Sequence, residues 1–314
     1  MQGKPRVMFV DDEQRIVNLL RMMFRGTCEV YTATSGQEAL AIAAAHPIDV
    51  VVSDQRMPGM SGIELLSQMR ERSPATMRVL LTGYSDLAAI VGSVNEGAVF
   101  RFINKPWNQD EIRRIVAEAA EAARLTADVA AAAPHGASLP EAPAPHAPGV
   151  LLIEDDADDR RAIIESIGGQ FTVHGVADIR SALGVLEERD IGVIVSEARV
   201  GGTDVGEFLR VLKRHHPAVT TVMLTSAADA DLVIQLINKA QIFRFGTKPV
   251  RGSAFRLAVA AAMREHGRMR AHPVLARRHA VEASGEAESP SLVGGILASL
   301  ARMRSRLGWG ASGA

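Results

Sequence analysis

Cysteine is nearly absent from this chain. Cys28 stands alone among 314 residues, which excludes an intramolecular disulfide and a cysteine-based zinc cluster and fits a reducing compartment. It opens an apolar run and is expected in the core. Net charge is nearly absent as well: 35 basic against 36 acidic residues leave a formal −1. Such a balance produces no global field to attract nucleic acid or an anionic membrane. The N-terminus reaches Asp11 and Asp12 after a few apolar positions, too few for a signal peptide or a membrane span, so a cytoplasmic protein is expected. No glycine-rich ATP loop, catalytic metal cluster or DNA-recognition helix pattern occurs along the chain.

What the chain does contain is a repeat. Asp12, Asp54, Thr82 and Lys105 recur as Asp155, Glu197, Thr225 and Lys248, each 143 positions later. A fixed offset across four polar positions marks a duplicated domain, and the length suits about two domains of ordinary size. Within the first copy, continuous apolar runs at residues 7–10, 28–32, 48–53, 78–82 and 99–104 read as strands buried on both faces. Helical spacing follows each, as in Ile16, Leu19, Leu20 and Met23, or Ile63, Leu66 and Met69, with further helices near 35–40, near 87–94 and from Asp110. This order predicts an α/β fold: two doubly wound, five-stranded parallel sheets in tandem. The expected organisation is a first domain over 1–125, an Ala/Pro-rich linker over 126–148, a second domain over 149–265 and a flexible tail over 266–314. Pro134, Pro140, Pro143, Pro145 and Pro148 make the linker semi-rigid at about 3.1 Å per residue. Alanines before it can carry the preceding helix to about Ala132. In the tail, Leu292, Val293, Ile296, Leu297, Leu300, Met303 and Leu307 form an amphipathic stripe over about 291–307, with Arg302, Arg304 and Arg306 at the basic end that complements a helix dipole.

In such sheets ligands gather at the carboxyl ends of the strands, and the polar residues fall there. Asp11 and Asp12 end the first strand, Asp54 follows the third, Thr82 ends the fourth and Lys105 follows the fifth. Three neighbouring carboxylates repel unless a divalent cation neutralises them, and histidine-free oxygen ligands select Mg2+ or Mn2+. A carboxylate beside such an ion and a lysine can attack a phosphoryl group. Asp54 is then the nucleophile, with Thr82 and Lys105 on the phosphoryl oxygens.

The segments VDDE, SDQRMPGMSGIELL, LLTGYSD and FRFINKPW resemble the four motif blocks of response-regulator receiver domains of two-component signalling. The resemblance covers residues 5–124, and the DQRMPGMSG and KPW forms are most similar to receivers of HD-GYP phosphodiesterases and hydrogenase-type transcription regulators. It implies a flavodoxin-like fold and phosphoryl transfer to Asp54 from a histidine kinase or phosphotransfer protein. It further implies magnesium held by Asp12, Asp54 and the backbone carbonyl of Arg56, with Asp11 nearby through water. Phe102 takes the place of the family's switch aromatic. Arg56 and Tyr84 flank the pocket mouth and are expected to shield the acyl phosphate from water.

The second copy, with VLLIEDD, TVMLTSAAD and FRFGTKP, keeps the scaffold but not the pocket. Glu154, Asp155, Glu197, Thr225 and Lys248 form a degenerate site, and Arg199-Val-Gly-Gly replaces the RMPG loop. Glutamate projects its carboxylate about 1.5 Å further than aspartate, which is enough to defeat phosphoryl acceptance. Glu197 has two readings: a carboxylate reaching Lys248 in imitation of a phosphorylated aspartate, or a solvated acid in a pseudo-receiver kept for packing or binding. A single negative charge reproduces only part of a phosphoryl group, which favours the second. His215 and His216, before Pro217, and His174 are expected as solvated residues. The chain thus reads as a tandem-receiver adaptor, not an enzyme, signalling through protein contacts or a homodimer to an unknown downstream protein. The rival roles are a phosphate sink for a kinase serving another regulator, and a regulator of a nucleic-acid or membrane target through the basic tail.

Overall fold

A computed structural model describes residues 3–83, 99–132, 147–225, 236–238, 240–248, 250 and 252–277. The chain divides into two compact units, each built on one parallel sheet.

The first sheet contains β1 (Arg6–Val10), β2 (Glu29–Ala33), β3 (Val50–Asp54), β4 (Met77–Thr82) and β5 (Arg101–Asn104), in the order β2-β1-β3-β4-β5 with every pairing parallel. The runs are continuously apolar because helices cover both faces. Val7, Phe9, Val50, Val52, Val79, Leu81 and Ile103, taken at the period of two, share one core with Leu20 and Phe24 of α1 (Gln14–Phe24) and with Ile112, Ile115, Val116 and Ala119 of α4 (Gln109–Ala132). The opposite face carries α2 (Gly36–Ala45) and α3 (Gly62–Arg72). Ser35 caps α2, and Ser61 with Glu64 forms a capping box that starts α3. Cys28 is buried, as expected, and burial pushes its thiol up. The expected helix near 87–94 lies outside the described residues.

The second sheet repeats this topology with β6 (Gly149–Ile153), β7 (Val173–Val176), β8 (Ile191–Glu197), β11 (Thr220–Thr225) and β12 (Arg244–Thr247), ordered β12-β11-β8-β6-β7. Val150, Leu152, Val193, Val195, Val222 and Leu224 pack against Ile163 and Ile167 of α5 (Ala157–Ile167) and against Phe255, Val259 and Ala262 of α8 (Gly252–Ala271), while α6 (Ile179–Glu188) lies against β6 and β7. Both expected sheets are therefore present, with the expected strand order of a flavodoxin-like fold.

Three details differ from expectation. First, the Arg199-Val-Gly-Gly segment forms a hairpin: β9 (Arg199–Val200) pairs antiparallel with β10 (Thr203–Asp204), ahead of α7 (Val205–His215). Gly201 and Gly202 lie at φ of +56° and +76°. Two consecutive left-handed residues define the type I′ turn, which glycine tolerates without a side-chain clash. Second, His216 is not solvated. It is 0% exposed at the end of α7, and His215 and His174 are half-buried. Third, the helical structure runs past residue 265, through Ala271 and on to α9 (Pro273–Arg277), and His266, Met269, Leu275 and Ala276 are buried. Glycine makes room for this packing: a Cβ on Gly192 would press on the His266 ring at 2.8 Å. In the first unit the corresponding end of the sheet is closed by an ion pair, Arg6 to Asp49 at 2.7 Å. The stripe over 291–307 lies outside the described residues, as do residues 133–146 of the linker.

The repeat also preserves one sheet edge. Phe100-Arg101-Phe102 and Phe243-Arg244-Phe245 each set a guanidinium over the preceding phenylalanine ring, at 4.2 and 4.3 Å. Burial lowers the Arg101 pKa to about 10 against the pull of Glu118. Phe102 and Phe245 point into the interior, buried in both units.

Candidate functional site

The carboxyl ends of β1, β3, β4 and β5 bring Asp11, Asp54, Thr82 and Lys105 together. Pairing in register sets Val10 beside Ser53, Asp54 beside Leu81, and Thr82 beside Asn104, so the residues that follow fall into one pocket. The Lys105 ammonium lies 2.6 Å from Asp54 Oδ1 and 3.1 Å from Asp11 Oδ2. Asp11 Oδ1 accepts the Glu13 N–H at 2.9 Å, and Asp54 Oδ2 accepts the Arg56 N–H at 3.0 Å. Asp11 and Asp54 are 1% and 6% exposed, which is costly for carboxylates without positive charge beside them. Burial lowers the Lys105 pKa, but its bonds to Asp54 and Asp11 more than compensate and raise it above the ordinary lysine value. Thr82 is buried, its hydroxyl donating to the Gly83 carbonyl at 3.2 Å. Asp12 is exposed on the adjoining turn and makes no hydrogen bond or ion pair among the described residues.

Two glycines shape the loop after Asp54. Gly59 turns at φ +78°. Gly62 packs against the Asp54 backbone so closely that a Cβ would collide with the Asp54 carbonyl oxygen. Its N–H donates to the Gln55 carbonyl at 3.0 Å, locking the strand end that carries Asp54. Gly62 supports the site without any polar side chain that would have signalled it. Arg56 stands two residues past this strand end, whereas Tyr84 lies outside the described residues.

Whether a divalent cation fits can be judged from the donors. They are all oxygen, and two buried carboxylates share a single ammonium, so one negative charge on this pair is left for a cation to offset. Among the described residues no three histidine, cysteine or acidic side chains already form a metal-binding cluster. Asp12 would have to turn inward to complete one. The donor set fits magnesium in kind.

The second pocket is built on the same strand ends with different wiring. Lys248 meets Glu154 at 2.7 Å, Asp159 at 2.8 Å and Glu197 in a still closer contact. Glu197 is thus drawn to the lysine and is not a solvated acid. Burial pushes the Glu154 carboxyl up. Burial would lower Lys248, yet its bonds to Asp159, Glu154 and Glu197 hold it far above the ordinary lysine range. Asp155 Oδ2 accepts the Gly201 N–H of the hairpin at 2.9 Å. Val205 fills the place of Gly62, with its N–H bonded to the Ala198 carbonyl at 3.0 Å. For Thr225 only the backbone, at the end of β11, is described. Asp159 was not signalled by the repeat, because Ile16 occupies its place in the first copy.

Both units match the response regulator receiver domain, over residues 7–117 and 150–260, together more than half of the chain. Relatives include the hydrogenase transcriptional regulatory protein HoxA of Cupriavidus necator, 39% identical over 123 residues, or 39% of this chain and 26% of that protein. The DNA-binding transcriptional regulator NtrC of Salmonella typhimurium is 38% identical over 116 residues, 36% of this chain and 24% of that protein. The chain therefore spans about a quarter of the length of these curated relatives. Among solved structures, a response regulator receiver domain protein from Clostridium thermocellum is 27% identical with a TM-score of 0.36, covering 38% of this chain and 98% of its own.

Proposed function

The chain belongs to the response regulator receiver family, and from that premise we propose that its first unit accepts a phosphoryl group on Asp54 while its second unit does not. The observation that carries this reading is the Asp11–Lys105–Asp54 cluster at the strand ends. An Asp54 carboxylate oxygen attacks the phosphorus of a phosphohistidine on a kinase or phosphotransfer protein. The phosphorus–nitrogen bond breaks, the imidazole nitrogen keeps the electron pair and takes up a proton, and an acyl phosphate forms on Asp54. Lys105, already bonded to Asp54 Oδ1, transfers its attraction to a phosphoryl oxygen, and Thr82 turns its hydroxyl from the Gly83 carbonyl toward another. Asp11, Asp12, Asp54 and the backbone carbonyl of Arg56 would hold magnesium, which when bound neutralises charge on the transferring oxygens. Phe102, buried on β5 three residues before Lys105, is positioned to respond to the Thr82 movement.

The outcome is a signal passed through protein contacts, with no catalytic or DNA-binding segment of its own within the two matched units. The names of HoxA and NtrC describe transcriptional regulators, and that role stays with those proteins. No helix among the described residues is long and apolar enough to cross a membrane. The test is intact-mass analysis after incubation with acetyl phosphate and magnesium. One phosphoryl group on wild type and none on Asp54→Asn is expected; phosphate on Asp54→Asn overturns the assignment.

A further inference from the structure

By charge alone the second pocket should attract a divalent cation more strongly than the first: it has four acids, Glu154, Asp155, Asp159 and Glu197, for one lysine, where the first pocket has Asp11, Asp12 and Asp54. The placement of these acids argues the other way. An ammonium has three N–H groups, and Lys248 faces three carboxylates, whereas Lys105 faces two. The third partner, Asp159, comes from the first turn of α5, at the position of the apolar Ile16. The fourth acid, Asp155, is tied to the hairpin through Gly201, while its counterpart Asp12 is exposed and uncommitted among the described residues. Glu154 and Glu197 meet the ammonium as Asp11 and Asp54 meet theirs, so the difference between the pockets lies in the third partner, Asp159. The Lys248 side chain is accordingly 13% exposed against 33% for Lys105. Admitting a divalent ion would break three ion pairs and release the hairpin, and these residues do not fit magnesium as they stand.

We propose that the Lys248 ammonium is the resident cation of the second pocket, standing where a divalent metal would, so that this unit holds its strand ends together without magnesium and takes none. Asp159 is the residue that completes the arrangement. The proposal holds whichever residue of the first unit accepts a phosphoryl group.

The test uses the full chain with the first pocket silenced by Asp11→Asn, Asp12→Asn and Asp54→Asn, titrated with Mn2+ and followed by electron paramagnetic resonance of the free ion. Wild type is expected to bind one ion, and the silenced chain to bind at least ~10-fold more weakly, as expected once the first pocket's carboxylates are neutral. Manganese bound by the silenced chain as tightly as by wild type overturns the proposal. No binding by wild type would count against the magnesium reading of the first pocket and agree with this one. In the silenced background, Lys248→Met should lower the thermal midpoint in metal-free buffer and regain it with Mn2+, which then takes the ammonium's place. A Lys248→Met chain as stable as its parent and indifferent to Mn2+ overturns the proposal. If that variant does not fold, Glu154→Gln/Lys248→Met removes one charge of each sign, and it must gain manganese binding through Asp155, Asp159 and Glu197 or the proposal fails.

Discussion

The two pockets share a strand order, a lysine and a serine behind the central acid, yet they differ in what the lysine is bonded to. Ser53 and Ser196 donate in the same way to the Asp54 and Glu197 carbonyls, each at 2.9 Å. In the first unit the lysine has two partners and an acid, Asp12, is left at the mouth. In the second it has three, under a hairpin anchored on Asp155. The comparison teaches that a receiver-like pocket can drift by rewiring its neighbours as well as by exchanging its central acid. Glu197 is one change among several, alongside Asp159, Val205 and the Gly201-Gly202 turn.

The largest effect that could break this comparison concerns Asp54. Asp54→Asn should abolish phosphoryl uptake, and Glu197→Asp added to it should not restore uptake, because Asp159 and the hairpin remain. Intact-mass spectra after exposure to acetyl phosphate read both outcomes, and a phosphorylated Asp54→Asn/Glu197→Asp chain would make the central acid alone decisive. Next in size is the glycine behind the site. Gly62→Ala drives a methyl into the Asp54 carbonyl and should destabilise the first unit by about 1–3 kcal/mol, slowing phosphoryl uptake as well. Val205→Ala should cost about 2 kcal/mol in lost burial and leave uptake unchanged. Urea unfolding and uptake rates measured on the same samples separate the two.

Smaller again is the alkaline limb of the second unit. The Lys248 pKa is raised above 10.5 in the folded chain. Its contribution is therefore complete below pH 10.5 and is lost as pH rises through the folded value. Asp159→Asn removes one of its three partners, so alkaline unfolding followed by circular dichroism should begin at lower pH. Asp159 is half exposed, and the stability change at neutral pH should stay below about 1 kcal/mol. The smallest effect lies at the other end of the first sheet. Burial raises the Asp49 carboxyl, but the Arg6 side chain and N–H outweigh it and hold it below 3.8. This stabilisation is present above pH 3.8 and disappears as pH falls through the lower folded value. Asp49→Asn should flatten the acid limb of the first unit alone, by well under 1 kcal/mol given its exposure, since Gly149 and Gly192 stand at these positions in the second.

The sheets and the first cluster were legible because buried parallel strands write continuous apolar runs and end in their polar residues, as at Val10-Asp11-Asp12 and Ser53-Asp54. The second pocket was legible only where it repeats the first. Asp159 looks like any acid in a helix's first turn, where charge complements the dipole, and its reach to Lys248 depends on distant strands. His216 follows three basic-type residues, Lys213, Arg214 and His215, and precedes a proline, which reads as surface, yet the fold buries it. Residues 266–271 continue α8 although Gly267 and two arginines, Arg268 and Arg270, blur the apolar period. Gly201-Gly202 carried a hairpin signal, but the flanking strands are two residues each, too short to show alternation. Gly62 was unreadable as a supporting residue, since a close backbone approach leaves no mark in a pattern of side chains.

The repeated Phe-Arg-Phe edge sets a rule for any partner. Wherever both edges are open to it, a protein that grips only what they share finds it twice on each chain and should saturate at two molecules per chain. A partner that binds once must also touch something the copies do not share, such as the Met57-Pro58-Gly59 turn or the Gly201-Gly202 hairpin. Counting bound molecules per chain, before any affinity is known, therefore tells which part of the surface is being read.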